Sequence, residues 1–537
     1  MTQTMVPTEA SPRPPRGASA ARDLSLDPAL VTRLVSHIAT STSGKSFDVA
    51  TPLTGQVIGS VPLCTPADVE AAAAKARAAQ PGWAALTYKQ RAKVLLRFHD
   101  LMLAEQDQTL DLVQLESGKV RAHAFEELID CAIVARYYAH TAQAHLKPQK
   151  RWGAFPVFTQ TVEHHHPKGV VGFITPWNYP LSMAITDALA ALAAGNAVVL
   201  RPDQQSPFTA LWSVDVLRRA GLPRDLLQVV TGPGPELGPS LIAASDYLMF
   251  TGSTATGRLV AQQCAERLIG CSLELGGKNA MLVLADADVD AAVAGAVRGS
   301  FASAGQLCIS MERIYVARSL YPQFVEKLGA KTRDLKLSAE LAYGGDMGSL
   351  VSAKQLATVK RHVDDAVSKG ATVVAGGKAR PDIGPLFYEP TVLTDVAPGM
   401  DLSCDETFGP VVSIYPVDSD DEAVRLANDS AYGLNTAIFS RNAKRAAELA
   451  IQIKAGTANI NEPYAAAWGS LDAPMGGMKD SGLGRRHGRE GILKYTESQT
   501  VSVQRGMGFA PAFGMSDAAH AKLLTRAVRA MKKLPIP

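Results

Sequence analysis

Three short stretches carry side chains suited to chemistry at a carbonyl group. In "FASAGQLCISMERIYV", residues 301–316, Cys308 sits among small residues rather than the large apolar neighbours of a packing cysteine. A thiolate there is a nucleophile, favoured by partial exposure and by nearby N–H dipoles or positive charge. The preceding Ser-Ala-Gly lets the backbone bend tightly, so the N–H of Cys308 itself can face a bound oxygen. Upstream, Glu274 in "LELGGKNA" precedes Gly276 and Gly277, which permit a backbone approach that a β-carbon forbids. The alternation in "CSLELGG" points to burial, and a buried carboxylate has the raised pKa that suits a general base. Earlier still, "GVVGFITPWNYP", residues 169–180, brings Asn178 to the carboxyl end of a strand, where open α/β folds bind ligands. An amide aimed at a developing oxyanion is worth ~3 kcal/mol. Singly, each has a plainer reading: a structural cysteine, a solvated carboxylate, an Asx turn held between prolines.

The elements that must position these groups are legible from periodicity. From about Pro66 to Ala144 apolar residues recur at three and four, which predicts helices, with Pro66 suited to a first turn. After Lys168 come short β-branched runs separated by helices: "GVVGFIT", "NAVVLRP", "LLQVVTG", "YLMFTG" and "AMLVLAD". Such strands, apolar on both faces, predict a parallel sheet covered on both sides, an α/β lobe of nucleotide-binding type. A second series after Glu312, from "RIYVA" to "GTANIN", predicts a second α/β lobe. "FPVFTQTVEHHHP" and "YTESQTVSVQ" alternate like exposed strands, and edges of that kind often pair between subunits. His164, His165 and His166 alternate faces there and cannot converge on one metal ion.

The expected organisation is a disordered arm over 1–22 and a cofactor-binding domain from 23–144 and 166–277. A catalytic domain follows over 278–475, with oligomerisation strands at 145–165 and 489–506. A tail over 507–537 carries the basic amphipathic helix 515–533, read as docked on the body or a neighbouring subunit, with a membrane-surface anchor as the alternative.

Composition bounds the function. In 537 residues, 47% are hydrophobic and 20% charged, and 54 Lys and Arg against 51 Asp and Glu leave a net charge of only +3. No basic stripe asks for nucleic acid. No run is long and apolar enough for a membrane span. Six scattered cysteines without CxxC pairing indicate neither a disulfide framework nor a zinc cluster, and a reducing cytoplasm is the expected setting.

Taken together, "PWNYP", "FTGS", "LELGGKN", "GQLC", "ETFGP" and "PMGGMKDSG", in that order, resemble the aldehyde dehydrogenase superfamily over about residues 50–505. The resemblance implies Cys308 as nucleophile, Glu274 as the base for deacylation, and Asn178 with the Cys308 N–H as oxyanion site. It implies hydrolysis of a thioester rather than transfer to coenzyme A, since relatives that acylate coenzyme A generally lack the glutamate. It also implies two Rossmann-like lobes, a β-strand oligomerisation arm, a homodimer or homotetramer, and a dinucleotide held by Thr175, Pro176, Trp177 and Leu275 among others.

The usual GxGxxG fingerprint is absent. "TGPGPELG" and "FTGSTATG" offer Gly234, Gly252 and Ser253 before helices, and the second suits a pyrophosphate at a helix N-terminus. Glu406 looks like the family's ligand for the nicotinamide ribose, with Phe408 packing nearby. In "VVLRPDQQSP", Arg201 stands where the family generally has Lys, and Gln204 where NAD-preferring members often have Glu. Gln204 removes a repulsion toward a 2′-phosphate and Arg201 can grip one bidentately, so NADP is expected over NAD.

Within the superfamily, "LIGCSLELGGKN", "AGQLCISMERIYV" and "GRRHGREGILKYTESQT" resemble actinobacterial NADP-dependent succinate-semialdehyde dehydrogenases. The paired arginines common in such enzymes are not visible: the matching stretches carry Thr186, Asp187 and Ala302. Arg313 recurs across specificities and reads as structural. Tyr464, Trp468 and Trp177 would line a tunnel for a medium-chain aliphatic or aromatic aldehyde, the alternative substrate. The competing class is a catalytically silent homologue kept for binding or structure, against which the intact Cys308, Glu274, Asn178 and Glu406 argue.

Overall fold

The computed structural model describes residues 23–40, 44–155, 158–505, 508–511 and 514–533. The arm expected over 1–22 lies outside the described residues. Four helices fill the predicted helical stretch: Pro66–Ala84, Tyr88–Ala104, Gln106–Ser117 and Arg121–Leu146. The first starts where local chemistry dictates, with Thr65 and Asp68 forming a reciprocal capping box and Pro66 in the first turn.

The first sheet has six strands in the spatial order 482–483, 270–274, 247–251, 170–174, 197–201, 227–229. All are parallel except Gly482–Leu483, which returns from the C-terminal region to pair antiparallel with Leu273 and Glu274. Strands Val170–Ile174 and Ala197–Arg201 are buried throughout, which is why they read as continuous apolar runs. Chain order reverses beside Val170–Ile174, whose neighbours are 197–201 on one side and 247–251 on the other. The crevice at that switch point is where ligands of such sheets bind.

The second sheet has seven strands in the order 372–375, 391–394, 411–417, 311–317, 279–283, 435–439, 457–460. The run "AMLVLAD", grouped by its pattern with the first series, belongs here instead, with Asn279–Val283 between Met311–Ala317 and Asn435–Phe439. Local pattern cannot assign a strand to one of two sheets of the same kind. The loop between Glu274 and Asn279 therefore bridges the two sheets.

The two exposed-looking strands pair with each other inside the chain, Thr496–Gln504 against Thr159–Pro167 in unbroken antiparallel register, with Gln149–Trp152 on the far side. Residues 489–493, expected as strand, are instead in the helix Gly488–Leu493. The rings of His164 and His166 stack at 6.3 Å, while His165 turns to the opposite face toward Glu163. Asp517–Met531 is helical, as its periodicity predicts. No helix among the described residues is long and apolar enough to cross a membrane.

Candidate active site

Cys308 is aimed by a strained turn. Ser303, Ala304 and Gly305 all take positive φ, at 51°, 55° and 69°. A Cβ on Gly305 would meet Gly409 O at 2.0 Å, so only glycine fits there. Two non-glycine residues in the left-handed region are costly and persist only where their surroundings hold them. Here the Ser303 N–H donates to His123 Nδ1 at 3.2 Å and Ser303 Oγ meets Tyr179 Oη at 3.1 Å. Asn279 Nδ2 clamps the other side, donating to Cys308 O and Ser310 O at 2.8 and 2.7 Å.

Glu274 ends the strand Gly270–Glu274 and is 6% exposed, with Oε1 buried and lacking a hydrogen-bond partner. Burial pushes its carboxyl up to about 7, with Arg486 and Lys494 opposing the rise. Burial also raises the Cys308 thiol, and the Glu274 and Glu406 carboxylates add to it, up to about 12. A raised thiol favours the protonated sulfur, whereas the sequence suggests an activated thiolate. The reason is that desolvation and two carboxylates outweigh the single opposing guanidinium, Arg486.

Asn178 follows the strand Val170–Ile174 and is 8% exposed. Its Nδ2 donates to Gln306 O at 3.0 Å, beside the cysteine turn. Its carbonyl accepts from Lys119 Nζ at 2.8 Å, and Lys119 pairs with Glu127 at 2.5 Å in full burial. Glu127 in turn accepts from the N–H groups of Leu181 and Ser182, so one ion pair anchors both flanks of the "WNYP" turn.

Cys308, Glu274 and Asn178 converge on one cavity of about 390 Å³. One side of its wall is apolar, with Tyr179, Met183, Leu307, Tyr464 and Trp468. The lining also includes Pro176, Trp177, Gly252, Ser253, Leu275, Glu406 and Phe408. Gly252 and Ser253 follow the strand Tyr247–Thr251, and Ser253, which lines the cavity, caps the helix Thr254–Glu266. Glu406 is seated by a Gly277 N–H bond of 2.8 Å, and a Cβ at Gly276 would come within 2.2 Å of its Oε2. Burial, then Glu312, raises the Glu406 carboxyl to about 8. Trp177 meets Phe408 edge-on at 5.5 Å. The paired glycines thus serve Glu406 and the cysteine carbonyl, since a Cβ on Gly277 would lie 2.7 Å from Cys308 O.

Thr175, Arg201, Gln204 and Gly234 are not in this wall. Thr175 N–H donates to Arg201 O at 3.2 Å, tying two strand ends together. Arg201 has two of its donors committed within the chain, Nε and Nη2 both donating to Gly232 O, at 3.0 and 2.8 Å. A guanidinium only 6% exposed must satisfy its donors on nearby carbonyls. Its Nη1 remains beside Gly234, which opens the helix Gly234–Ala244, and Gln204 is half-buried nearby in sequence. Arg313 is structural, donating to the carbonyls of Lys278, Ala427, Leu426 and Asp429.

Sequence reasoning missed four supports. Asn279 and Gln306 hold the cysteine turn, Gln306 Oε1 accepting from Val351 N–H at 2.9 Å. Lys278 and Glu312 pair at 2.5 Å in burial, and Glu312 also accepts from the N–H groups of Thr407 and Phe408, fixing the segment after Glu406. Arg486 lines the cavity at 5% exposed, paired to Asp187 at 2.7 Å. Its only sequence signal was the charge of Asp187 on an otherwise apolar helix.

The open α/β sheet with its crevice at the switch point is the architecture of a dinucleotide-using oxidoreductase. The chain belongs to the aldehyde dehydrogenase family, whose sequence profile matches residues 38–501. It is 52% identical over 482 residues to the "Putative succinate-semialdehyde dehydrogenase (NADP(+))" of Mycolicibacterium smegmatis, covering 90% of this chain and 93% of that one. It is 38% identical over 465 residues to the glutarate-semialdehyde dehydrogenase of Pseudomonas aeruginosa, covering 85% and 93%. The NAD+ complex of aldehyde dehydrogenase from Bacillus cereus superposes with a TM-score of 0.84 at 34% identity, covering 89% and 99%.

Proposed function

We propose that this enzyme oxidises succinate semialdehyde to succinate through a thioester on Cys308, using NADP in preference to NAD. The observation that carries the reading is the convergence of Cys308, Glu274 and Asn178 on one cavity whose lining also includes Glu406, Ser253 and Trp177. The residues present fit a dinucleotide. A capped helix N-terminus suits the pyrophosphate, Glu406 suits ribose hydroxyls, and Gln204 presents no carboxylate to a 2′-phosphate. When bound, NADP supplies the hydride acceptor.

Cys308 gives up its proton to water and its sulfur adds to the aldehyde carbon, forming a C–S bond and an alkoxide. Asn178 Nδ2, released from Gln306 O, and the Cys308 N–H donate to that alkoxide. As the carbonyl re-forms, the former aldehyde hydrogen departs with its electron pair and a thioester remains on Cys308. Glu274 then takes a proton from water, whose oxygen attacks the thioester carbon; the carboxylate leaves and the sulfur is restored. The relative named for succinate semialdehyde, at 52% identity, supports the substrate and the NADP preference. The apolar wall of Tyr179, Met183, Tyr464 and Trp468 favours a second reading, a dehydrogenase of medium-chain aliphatic or aromatic aldehydes.

A panel of succinate semialdehyde, octanal and benzaldehyde, run with NADP and with NAD and followed at the reduced-nicotinamide absorbance, decides between them. Succinate semialdehyde with NADP is expected to give the highest kcat/KM. Preference for octanal or benzaldehyde would install the second reading, and no reduced cofactor from any aldehyde would leave the silent homologue. We further place the enzyme in the cytoplasm, as its six free cysteines favour. We assign it a homodimer or homotetramer built on the free edge of the strand Thr496–Gln504.

A further inference from the structure

We propose that Arg486 is the residue that receives the substrate's distal carboxylate, and so selects acid-bearing aldehydes. This rests on the reading above. Four observations converge on it.

Arg486 is aimed by strained backbone. The next residue, His487, lies at φ 60°, ψ 171°, a region that essentially only glycine tolerates. Arg486 is tied to Met475 by a reciprocal pair of backbone bonds, 2.6 and 2.9 Å, and Met475 itself lines the cavity. The guanidinium is then held on the helix Pro180–Ala193, with Nε 2.7 Å from Asp187 Oδ2 and Nη2 donating to Thr186 Oγ1 at 2.7 Å. Thr186 spends its own proton on Ser182 O, which leaves its oxygen as an acceptor.

Nη2 is thus hydrogen-bonded and Nε is ion-paired to Asp187 without a hydrogen bond of its own, while among the described residues Nη1 meets the Met183 sulfur at 3.4 Å. A thioether is a weak acceptor, so this charged donor is under-satisfied at the wall of a substrate cavity. The local charge is also unbalanced. Asp187 is shared between Arg486 and Lys494, the latter at 3.0 Å, so two cations face one carboxylate. Although burial opposes it, this pair of cations holds the Asp187 carboxyl well below the usual range, so its charge is already present. The other acids facing Arg486, Glu274 and Asp130, are raised by burial to about 7 each and carry only part of a balancing charge near neutrality. A buried surplus cation favours an anionic guest. At the other end of the wall Glu126 does not compete, being occupied by Tyr464 Oη and Arg298.

The test compares succinate semialdehyde with butanal, which has the same four carbons and no carboxylate, in wild type, Arg486→Gln and Arg486→Lys. The wild type is expected to prefer succinate semialdehyde. In Arg486→Gln the ratio of kcat/KM for the acid over butanal should fall about a hundredfold, mostly through KM, with partial return in Arg486→Lys. An unchanged ratio, or equal losses on both aldehydes with a displaced pH profile, would overturn the assignment and leave Arg486 as a support of Glu274. Should Arg486→Gln not fold, alkylation of Cys308 by iodoacetamide in the wild type decides. Succinate should protect better than butyrate, and equal protection refutes the proposal. A wild type that oxidises butanal but not succinate semialdehyde fails the substrate reading itself, whereas a wild-type preference that survives in Arg486→Gln fails only the role of Arg486.

Discussion

Glu274 holds a buried oxygen without a partner, a cost to the fold that suits the base role proposed for it. Its carboxyl, raised from 4.5 to about 7, is protonated and unable to accept a proton at lower pH. Turnover limited by deacylation should therefore fall as pH drops through about 7, which a steady-state rate profile against pH checks. Glu274→Gln should keep the burst of reduced cofactor from acylation and slow turnover about a hundredfold or more. The same raised value makes a stability statement. The folded state binds this proton more tightly than the unfolded chain, so stability from it is full below about pH 4.5 and is lost as pH rises through about 7. Glu274→Gln should accordingly raise the thermal midpoint more at about pH 8.5 than at about pH 6, measurable by calorimetry. Cys308→Ser removes the sulfur and should cost at least about a thousandfold in kcat. Retained turnover would sink the thioester.

At the scale of elements, the segment bridging the two sheets carries the cofactor side of the site. Gly276 and Gly277 follow Leu275, and the missing β-carbon of Gly276 makes room for Glu406 while that of Gly277 makes room for Cys308 O. In Gly276→Ala the new methyl would stand 2.2 Å from Glu406 Oε2, the far end of a side chain that can swing away. The fold should survive while KM for the dinucleotide rises about tenfold or more, through loss of the seated carboxylate. An unchanged KM with an unchanged thermal midpoint would remove Glu406 from the cofactor site. The same bridge explains why "AMLVLAD" reads locally like a first-sheet strand yet pairs in the second. Its residue pattern specifies a buried parallel strand, and only the crossover after Glu274 decides which sheet receives it.

Across the whole molecule, the three-stranded sheet projects an edge, Thr496–Gln504, with Val501 and Val503 43% and 45% exposed. Exposed valines on a free strand edge are an association surface. Val501→Asp should lower the assembled mass seen by light scattering, with kcat per Cys308 largely retained, because the strand lies outside the cavity wall. Sequence by itself determined the helical stretch and most strands, and it singled out Cys308, Glu274 and Asn178, which the fold brings to one cavity. Each of these is written in local periodicity or in a compact motif whose small residues have one physical reason to be there. Tertiary structure alone decided that the two outer strands pair with each other, that Arg201 donates to Gly232 O, and that burial beside two carboxylates raises the Cys308 thiol. It also decided that Arg486 meets Thr186 from 300 residues away. These outcomes depend on burial, on competing hydrogen-bond partners and on charges brought together from distant segments, none of which a linear pattern records.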